Sequence, residues 1–261
     1  MLYKWFGKRR RGKQAVRGSR LAKKPVIYLF SPDNVDVSVA VTLSPELRFT
    51  TMNPIVPVQH QPTGHKVHWD IRTQADGTLT EQATGLELSS LFWEADTNLI
   101  DIQSNHTRLN RPAAQDVDDF SLSNCDVSDS DSVTLPVSEV TGYLEKALTG
   151  LGLHTEARTS FITFWLPSFL KHKYVALRFI PQATFSRIAP IDIIPKPDIV
   201  IRVFMIFKGV SDLSYWPSSV KRARYDVTFW ARIVGVDPVA AWNDELFRVL
   251  EWGAMEVSID K

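Results

Sequence analysis

Residues 35–43 read Val-Asp-Val-Ser-Val-Ala-Val-Thr-Leu, with an apolar side chain at every second position. Successive side chains on a strand point to opposite faces, so this stretch predicts a strand with one buried and one exposed face. Val67, Trp69 and Ile71 repeat the alternation farther along. Asp76-Gly77 then supplies a hairpin turn, because glycine tolerates positive φ. The sequence therefore predicts an antiparallel sheet around these two strands.

Further strands are predicted on either side of this core. Short apolar runs occur in the first hundred residues at Pro25–Phe30, Leu47–Thr51 and Leu86–Trp93, which favours half of a β-sandwich,. The last third returns to β-branched and aromatic residues, which strands prefer. Strands are predicted there over Tyr174–Ile180, Ile199–Phe207 and Tyr225–Val234. For Ala240–Ile259 we predict a short helix followed by strands paired around Gly253.

Two helices are predicted between these groups of strands. Ser138–Thr149 places Val140, Tyr143, Leu144, Ala147 and Leu148 on one face,. A second helix begins near Thr155, a residue type that caps helices, and Pro167 should bend or end it,. The short connection predicts a helical hairpin packed across the sheet. The predicted fold class is therefore α+β, a mainly antiparallel, sandwich-like sheet system with an inserted helical hairpin.

Charge divides the chain into two parts. Residues 1–24 contain ten of the 30 Lys and Arg residues and no acidic residue, which leaves 20 basic residues against 29 acidic residues in the remainder. We expect residues 1–23 to form a flexible basic arm and residues 24–261 to form one α+β domain. An acidic loop is expected at about residues 105–131, where aspartates lie among serines and asparagines,. The acidic body argues against sequence-specific nucleic-acid binding.

The basic arm has several possible partners. Arg10 and Arg11 belong to a basic cluster, and Lys23-Lys24 follows at a spacing that resembles a bipartite nuclear-import signal. The cations could equally meet an anionic membrane surface, with Trp5 entering the lipid interface. A solvated tail is the simplest interpretation. No secretory signal or membrane span is evident, so we expect an intracellular protein, cytoplasmic or nuclear, with possible peripheral membrane attachment,.

The usual motifs of enzyme chemistry are missing from the sequence. Cys125 is the only cysteine, and no nucleophile elbow, Walker motif or dinucleotide fingerprint occurs,. His65-x-x-His68 on a strand would place its imidazoles on opposite faces, which does not suit zinc binding. We therefore expect no metal and no cofactor.

Carboxylates beside aromatic residues are the remaining candidates for catalysis. Glu94 follows Phe92-Trp93, Glu251 precedes Trp252, and Glu156 begins the second helix. A carboxylate against an indole can have a raised pKa and serve as a general acid. Structural salt bridges to arginines on predicted strands are the competing interpretation. Trp93 and Trp165 are the candidate binding aromatics, with core packing as the alternative.

Several segments resemble a family of uncharacterised microbial proteins, bacterial and fungal. The matching stretches are residues 24–30 (KPVIYLF), Trp69 with residues 76–79 (DGTL), residues 91–94 (LFWE), residues 161–167 (FITFWLP), Pro197-Asp198, residues 202–205 (RVFM) and residues 247–253 (FRVLEWG). Phe30 departs mildly from the family's opening, which has tyrosine there. The resemblance implies one continuous folded unit from Lys24 onward and a shared aromatic core or groove. It brings no activity, ligand or catalytic residue with it.

These observations favour an intracellular binding or structural module that recognises a protein or a glycan. The abundance of aromatic residues and the missing enzyme motifs support that interpretation. The alternative is a glycosidase-like hydrolase whose acid and base come from Glu94, Glu251 and Glu156, provided that two of them face each other across a cleft. Whether the protein is an enzyme stays open at this point.

Overall fold

The computed structural model describes residues 21–45, 47–97 and 125–257. The strands are β1 Leu21–Phe30, β2 Asp36–Leu43, β3 Leu47–Asn53, β4 Gln59–Gln61, β5 Gly64–Thr73, β6 Leu79–Glu81, β7 Glu87–Leu88, β8 Leu91–Thr97, β9 Val133–Pro136, β10 Tyr174–Phe179, β11 Ile191–Ile194, β12 Ile199–Val210 and β13 Arg248–Glu256. The helices are α1 Val137–Gly150, α2 Thr155–Phe169, α3 Gln182–Ile188, α4 Pro217–Arg222, α5 Phe229–Val234 and α6 Pro238–Ala241, with a 3₁₀ turn at Leu213–Tyr215.

The strands form two sheets. The smaller sheet has the order β11-β2-β5-β6-β7, with β4 also paired to β5. The predicted alternating strand is β2, which lies between β11 and β5 and in which Val37, Val39, Val41 and Leu43 are buried. The Asp76-Gly77 turn joins β5 to β6 as an antiparallel hairpin, as the sequence predicts.

The inner strands of the larger sheet are buried on both faces, whereas the edge strand β3 is largely exposed. Its order is β3-β8-β1-β13-β12-β10-β9, and β12 and β13 run parallel in an otherwise antiparallel arrangement. Alternate residues of β1 show the two faces. Ile27 and Leu29 pack against the small sheet, whereas Val26 and Tyr28 pack against the helices. The molecule is therefore layered as small sheet, large sheet and helices.

The predicted helical hairpin covers the outer face of the large sheet. Helix α1 buries the five residues that its sequence pattern places on one face. Helix α2 buries Ala157, Phe161, Trp165 and Phe169, and Pro167 lies in its last turn without ending it early. The α+β class with a sandwich-like, mostly antiparallel sheet arrangement is confirmed.

The predicted strand at Tyr225–Val234 is wrong, because its second half is helix α5. Trp230, Ala231 and Val234 are buried at helical spacing, and the indole Nε1 of Trp230 donates to the Tyr143 hydroxyl at 2.7 Å. β-branched and aromatic residues fit a strand or a buried helix equally well, so packing against α1 decides the outcome.

The predicted turn at Gly253 is also wrong. Strand β13 runs through Gly253 without interruption, and the short helix α6 ends before it. A Cβ at this position would lie 3.3 Å from the Phe204 ring and 3.3 Å from Pro25. Glycine therefore serves close packing inside the sheet rather than a reversal of the chain.

One predicted strand is divided between the two sheets. Within Leu86–Trp93, β7 belongs to the small sheet and β8 begins in the large sheet. The chain thus passes from one layer to the other at this point. The acidic loop predicted at residues 105–131 lies outside the described residues up to residue 124, and so does the basic arm up to residue 20.

Candidate functional site

Two of the three candidate carboxylates lie near one lysine. Glu156 stands in the first turn of α2, and Glu94 lies on β8. Both carboxylates act electrostatically on the ammonium group of Lys24, which lies on β1. The Lys24 ammonium and these two carboxylates therefore form one charged cluster on the helical side of the large sheet.

The backbone of β1 is irregular where it presents Lys24. Pairing with β13 shifts register between Lys23 and Val26, and pairing with β8 shifts between Ala22 and Val26. Lys24 itself has φ of 55°, a left-handed conformation that a residue with a Cβ rarely adopts,. A bulge of this kind re-aims a side chain, and here the Lys24 amine points to the helices.

The Lys24 amine lies among polar and aromatic groups. Its Nζ donates to the Ser160 hydroxyl at 3.3 Å, and it stands 4.9 Å from the centre of the Phe164 ring and 5.7 Å from that of Trp252. Burial lowers the pKa of Lys24, and the charges of Glu94 and Glu156 oppose that shift without cancelling it. A larger share of the amine is therefore unprotonated than in an exposed lysine.

Tyr28 connects this cluster to the surface. Its hydroxyl donates to Glu156 Oε1 at 3.4 Å. Burial, followed by the charge of Glu156, raises the pKa of Tyr28, while the nearby Trp252 indole opposes the shift. Among the residues that the structure describes, however, none lies within hydrogen-bond geometry of Trp252 Nε1. Tyr28 thus stays a neutral phenol that donates to Glu156.

His154 packs against Tyr28 and lies close to Glu156. Its ring meets the rings of Tyr28 and Phe30 edge-on, with centroid distances of 4.7 Å and 5.1 Å. Its Nε2 lies 3.3 Å from Glu156 Oε2. Burial lowers the pKa of His154, and the hydrogen bond to Glu156 only partly compensates.

His154 gives the protein a pH-dependent stability. Its pKa is lower in the folded chain than the ordinary 6.5, so the unfolded chain binds more protons below pH 6.5,. We expect the free energy of unfolding to fall as pH drops through 6.5 towards the folded-state pKa, and a His154→Gln variant to lack that part of the fall. Urea unfolding at a series of pH values measures it. Identical pH profiles for the two proteins would contradict it.

A surface cleft of about 400 Å³ opens beside these residues. Its aromatic side chains are Tyr28, Phe30 and His154, and its acidic side chains are Asp76, Glu87 and Glu156. We call it the Tyr28 cleft.

The β5–β6 hairpin forms one rim of the Tyr28 cleft. The backbone N–H of Thr78 donates to the Asp76 carboxylate at 2.9 Å, and this bond lowers the pKa of Asp76. Gly77 has φ of 86°, and a Cβ there would lie 3.4 Å from the Phe30 ring. The turn thus holds an ionised carboxylate at the mouth of the cleft, against the aromatic wall.

The third candidate carboxylate lies elsewhere, in the core between the sheets. Glu251 is fully buried, its Oε2 accepts from Arg202 Nε at 2.5 Å, and its Oε1 accepts from the Trp93 indole at 2.9 Å. Arg202 is 1% exposed, and its guanidinium also stacks on the Phe185 ring at 4.3 Å. Glu251 therefore forms a structural salt bridge, which is the alternative to a catalytic role that the sequence left open for this residue.

The candidate binding aromatics lie in the core as well. Trp93 is 1% exposed and packs edge-on against Phe49. Trp165 is 3% exposed and packs against Phe207 and Phe164. Neither indole lines the Tyr28 cleft. Arg10 and Arg11 lie outside the described residues.

A larger cavity of about 800 Å³ lies between α1 and the segment that joins α4 to α5. Glu139, Lys146, Arg224 and Asp226 line it, so its charges are mixed. None of the candidate residues that the structure describes lines it. The Tyr28 cleft is therefore the better candidate site.

Sequence reasoning about single residues missed Lys24, Tyr28, Asp76 and His154. The signal that could have found most of them is the set of segments behind the family resemblance. The Tyr28 cleft and the surroundings of Lys24 are built largely from those segments. They include parts of residues 24–30 and 76–79 and Glu94, and the rings of Phe164 and Trp252 lie beside the Lys24 amine. Distant stretches that share one site are hard to join before the fold is known.

No family model, curated protein or solved structure matches this chain. Within the described ranges, no helix is long and apolar enough to cross a membrane. Nor does the part of the chain that the structure describes bring three or more His, Cys, Asp or Glu side chains together as a metal site would.

Proposed function

We propose that the protein is an intracellular binding module and that its Tyr28 cleft takes a glycan. The observation that carries the proposal is the combination of three aromatic side chains with three carboxylates in a cleft of about 400 Å³. Small-molecule sites typically measure about 300–1,000 Å³ and combine apolar walls with a few polar groups.

The chemistry of the cleft suits a sugar ring. Phe30 and His154 offer partly exposed ring surface, which packs against the C–H faces of a pyranose, and the buried Tyr28 ring supports them from behind,. Asp76, Glu87 and Glu156 accept hydrogen bonds from hydroxyl groups, and bonds to a charged acceptor are the stronger ones. The aromatic wall of the cleft can thus supply contact area for the sugar, while the carboxylates at its rim fix the orientation of the sugar.

A neutral polyol fits the cleft better than a cation does. The positive charge of Lys24 already acts on Glu156, one of the carboxylates of the cleft, so a second cation would meet that charge. Thr78 and Ser89 bring hydroxyl groups, which can donate, to the lining of the cleft. A glycan hydroxyl can both donate and accept, which matches a site of mixed donors and acceptors.

The first experiment is a glycan array with the full chain, followed by calorimetry on the best ligand. Asp76→Asn and Glu87→Gln remove a charged acceptor and are each expected to weaken binding about tenfold. Asp192→Asn is the matched control, because Asp192 is an exposed carboxylate on β11 that does not line the cleft. An array without binders, or cleft variants that bind like the wild type, would refute the proposal.

Glycoside hydrolysis is the second candidate function. Its support is that Glu94 and Glu156 both act on Lys24 and therefore lie in one region. Retaining and inverting glycosidases need two carboxyl groups about 5–10 Å apart across the scissile bond. Hydrolysis of nitrophenyl glycosides tests it. We expect Glu94→Gln and Glu156→Gln to abolish turnover, and unchanged turnover in both would exclude this pair.

The partners of the basic arm also stay a proposal. Arg10 and Arg11 would contact either the nuclear-import machinery or an anionic membrane surface. Liposome sedimentation with and without residues 1–23 separates these partners, since only the membrane interpretation predicts pelleting that depends on the arm. Equal pelleting of both proteins would remove the membrane interpretation.

A further inference from the structure

Lys24 differs from an ordinary surface lysine in its backbone. A left-handed φ of 55° in a residue with a Cβ costs about 1–3 kcal/mol, and such strain clusters at functional sites,. The strain here coincides with the register shifts of β1 against both of its neighbouring strands. The fold therefore holds this lysine in a conformation that the chain would not adopt unaided.

The surroundings of the Lys24 amine combine burial with acid–base groups. Aromatic rings of Phe164 and Trp252 lie beside it, and Ser160 accepts its one direct hydrogen bond among the described residues. The charges of Glu94 on β8 and Glu156 on α2 act on it. Desolvation in an apolar environment is a recognised way to activate a lysine as a nucleophile.

We propose that Lys24 is a reactive amine that forms an imine with a small aldehyde or ketone. The proposal does not depend on glycan binding in the Tyr28 cleft, because it rests on the environment of a single nitrogen. Tyr28 and Glu156 belong to both regions, since the Tyr28 hydroxyl donates to Glu156 at 3.4 Å.

The chemistry balances without an oxidant or a reductant. The neutral Lys24 nitrogen attacks the carbonyl carbon, a C–N bond forms, and one N–H proton moves to the carbonyl oxygen to give a carbinolamine. Loss of water then breaks the C–O bond, and the second N–H proton leaves with that oxygen. Glu94 and Glu156, whose charges act on Lys24, are our candidates for carrying these protons, and the Tyr28 phenol donates to Glu156,.

The same molecule contains a matched control lysine. Lys208 is partly buried, lies 5.1 Å from the centre of the Trp216 ring, and donates to the Asp126 carboxylate at 2.8 Å. It thus shares an aromatic neighbour and a carboxylate with Lys24. It lies on the regular strand β12 and has no left-handed backbone.

The experiment is reductive trapping with glyceraldehyde and cyanoborohydride on the full chain, followed by peptide mapping. Cyanoborohydride supplies hydride to the imine and fixes the adduct. We expect the peptide with Lys24 to be modified first, several-fold faster than the peptide with Lys208. The pH midpoint of Lys24 modification should lie below the ordinary lysine value of 10.5.

Two controls make the result decisive. Lys24→Arg keeps the positive charge, cannot form the imine, and should leave the rate at Lys208 unchanged. In guanidinium chloride Lys24 should be modified no faster than Lys208, because its higher reactivity depends on the fold. If Lys24 reacts no faster than Lys208 in the folded chain, or keeps the same advantage after unfolding, the proposal is wrong.

Discussion

Glu251→Ala is expected to lower the free energy of unfolding by about 3–5 kcal/mol, the usual cost of removing one partner of a buried ion pair. Arg202 is 1% exposed and would keep its charge without the carboxylate that now accepts from it. The Trp93 indole would lose its acceptor as well. Urea unfolding followed by tryptophan fluorescence measures the loss.

Two further variants separate the ion pair from simple loss of packing. In the double variant Arg202→Met with Glu251→Leu, apolar residues of similar size replace both charges, and much of the stability should return. Glu245→Ala is the exposed control and should stay within about 0.5 kcal/mol of the wild type,. A Glu251→Ala protein as stable as the Glu245→Ala protein would contradict the assigned role of the pair.

Gly64→Ala is expected to lower the free energy of unfolding by about 4 kcal/mol, because backbone strain and overpacking add together. Gly64 begins β5 with φ of 136°, and a Cβ there would come within 1.8 Å of the carbonyl oxygen of Leu43. A backbone atom inside a paired strand cannot move aside cheaply. Thermal and urea unfolding give the size of the effect.

Gly85→Ala is the matched control for this substitution. Gly85 also has positive φ, 70°, but nothing lies within 4 Å of its ideal Cβ position. The Gly85→Ala substitution should lower the free energy of unfolding by only about 1 kcal/mol, which is the cost of a left-handed conformation alone. Equal losses at both glycines would show that the contact with Leu43 does not limit the fold.

The sequence predicts well those strands and helices whose apolar residues recur with one periodicity and so define one buried face. Strand β2 has one apolar face and one polar face, and helix α1 buries the residues that its periodicity selects. The two wrong predictions lie in segments without such a pattern. The run at residues 225–234 is apolar on several sides, and Gly253 fills a packing role that resembles a turn signal in sequence.

The candidate site was predictable only in part. Glu156 and Glu94 come together at Lys24, but Glu251 lies on the opposite face of the large sheet. A one-residue step along a strand reverses the face, so Glu251 and Trp252 point to different layers. The approach of the Asp76 turn to Tyr28 depends on how the sheets stack, which no local pattern encodes.

The place of β13 constrains the order in which the chain can assemble. This strand lies between β1 and β12 in the large sheet, yet it is the last strand of the described residues along the chain. On the ribosome, β1, β3 and β8 emerge before β13 and must wait for it before they can join β12. The growing chain therefore carries an unpaired sheet edge until β13 has been made, a period in which it is open to mispairing.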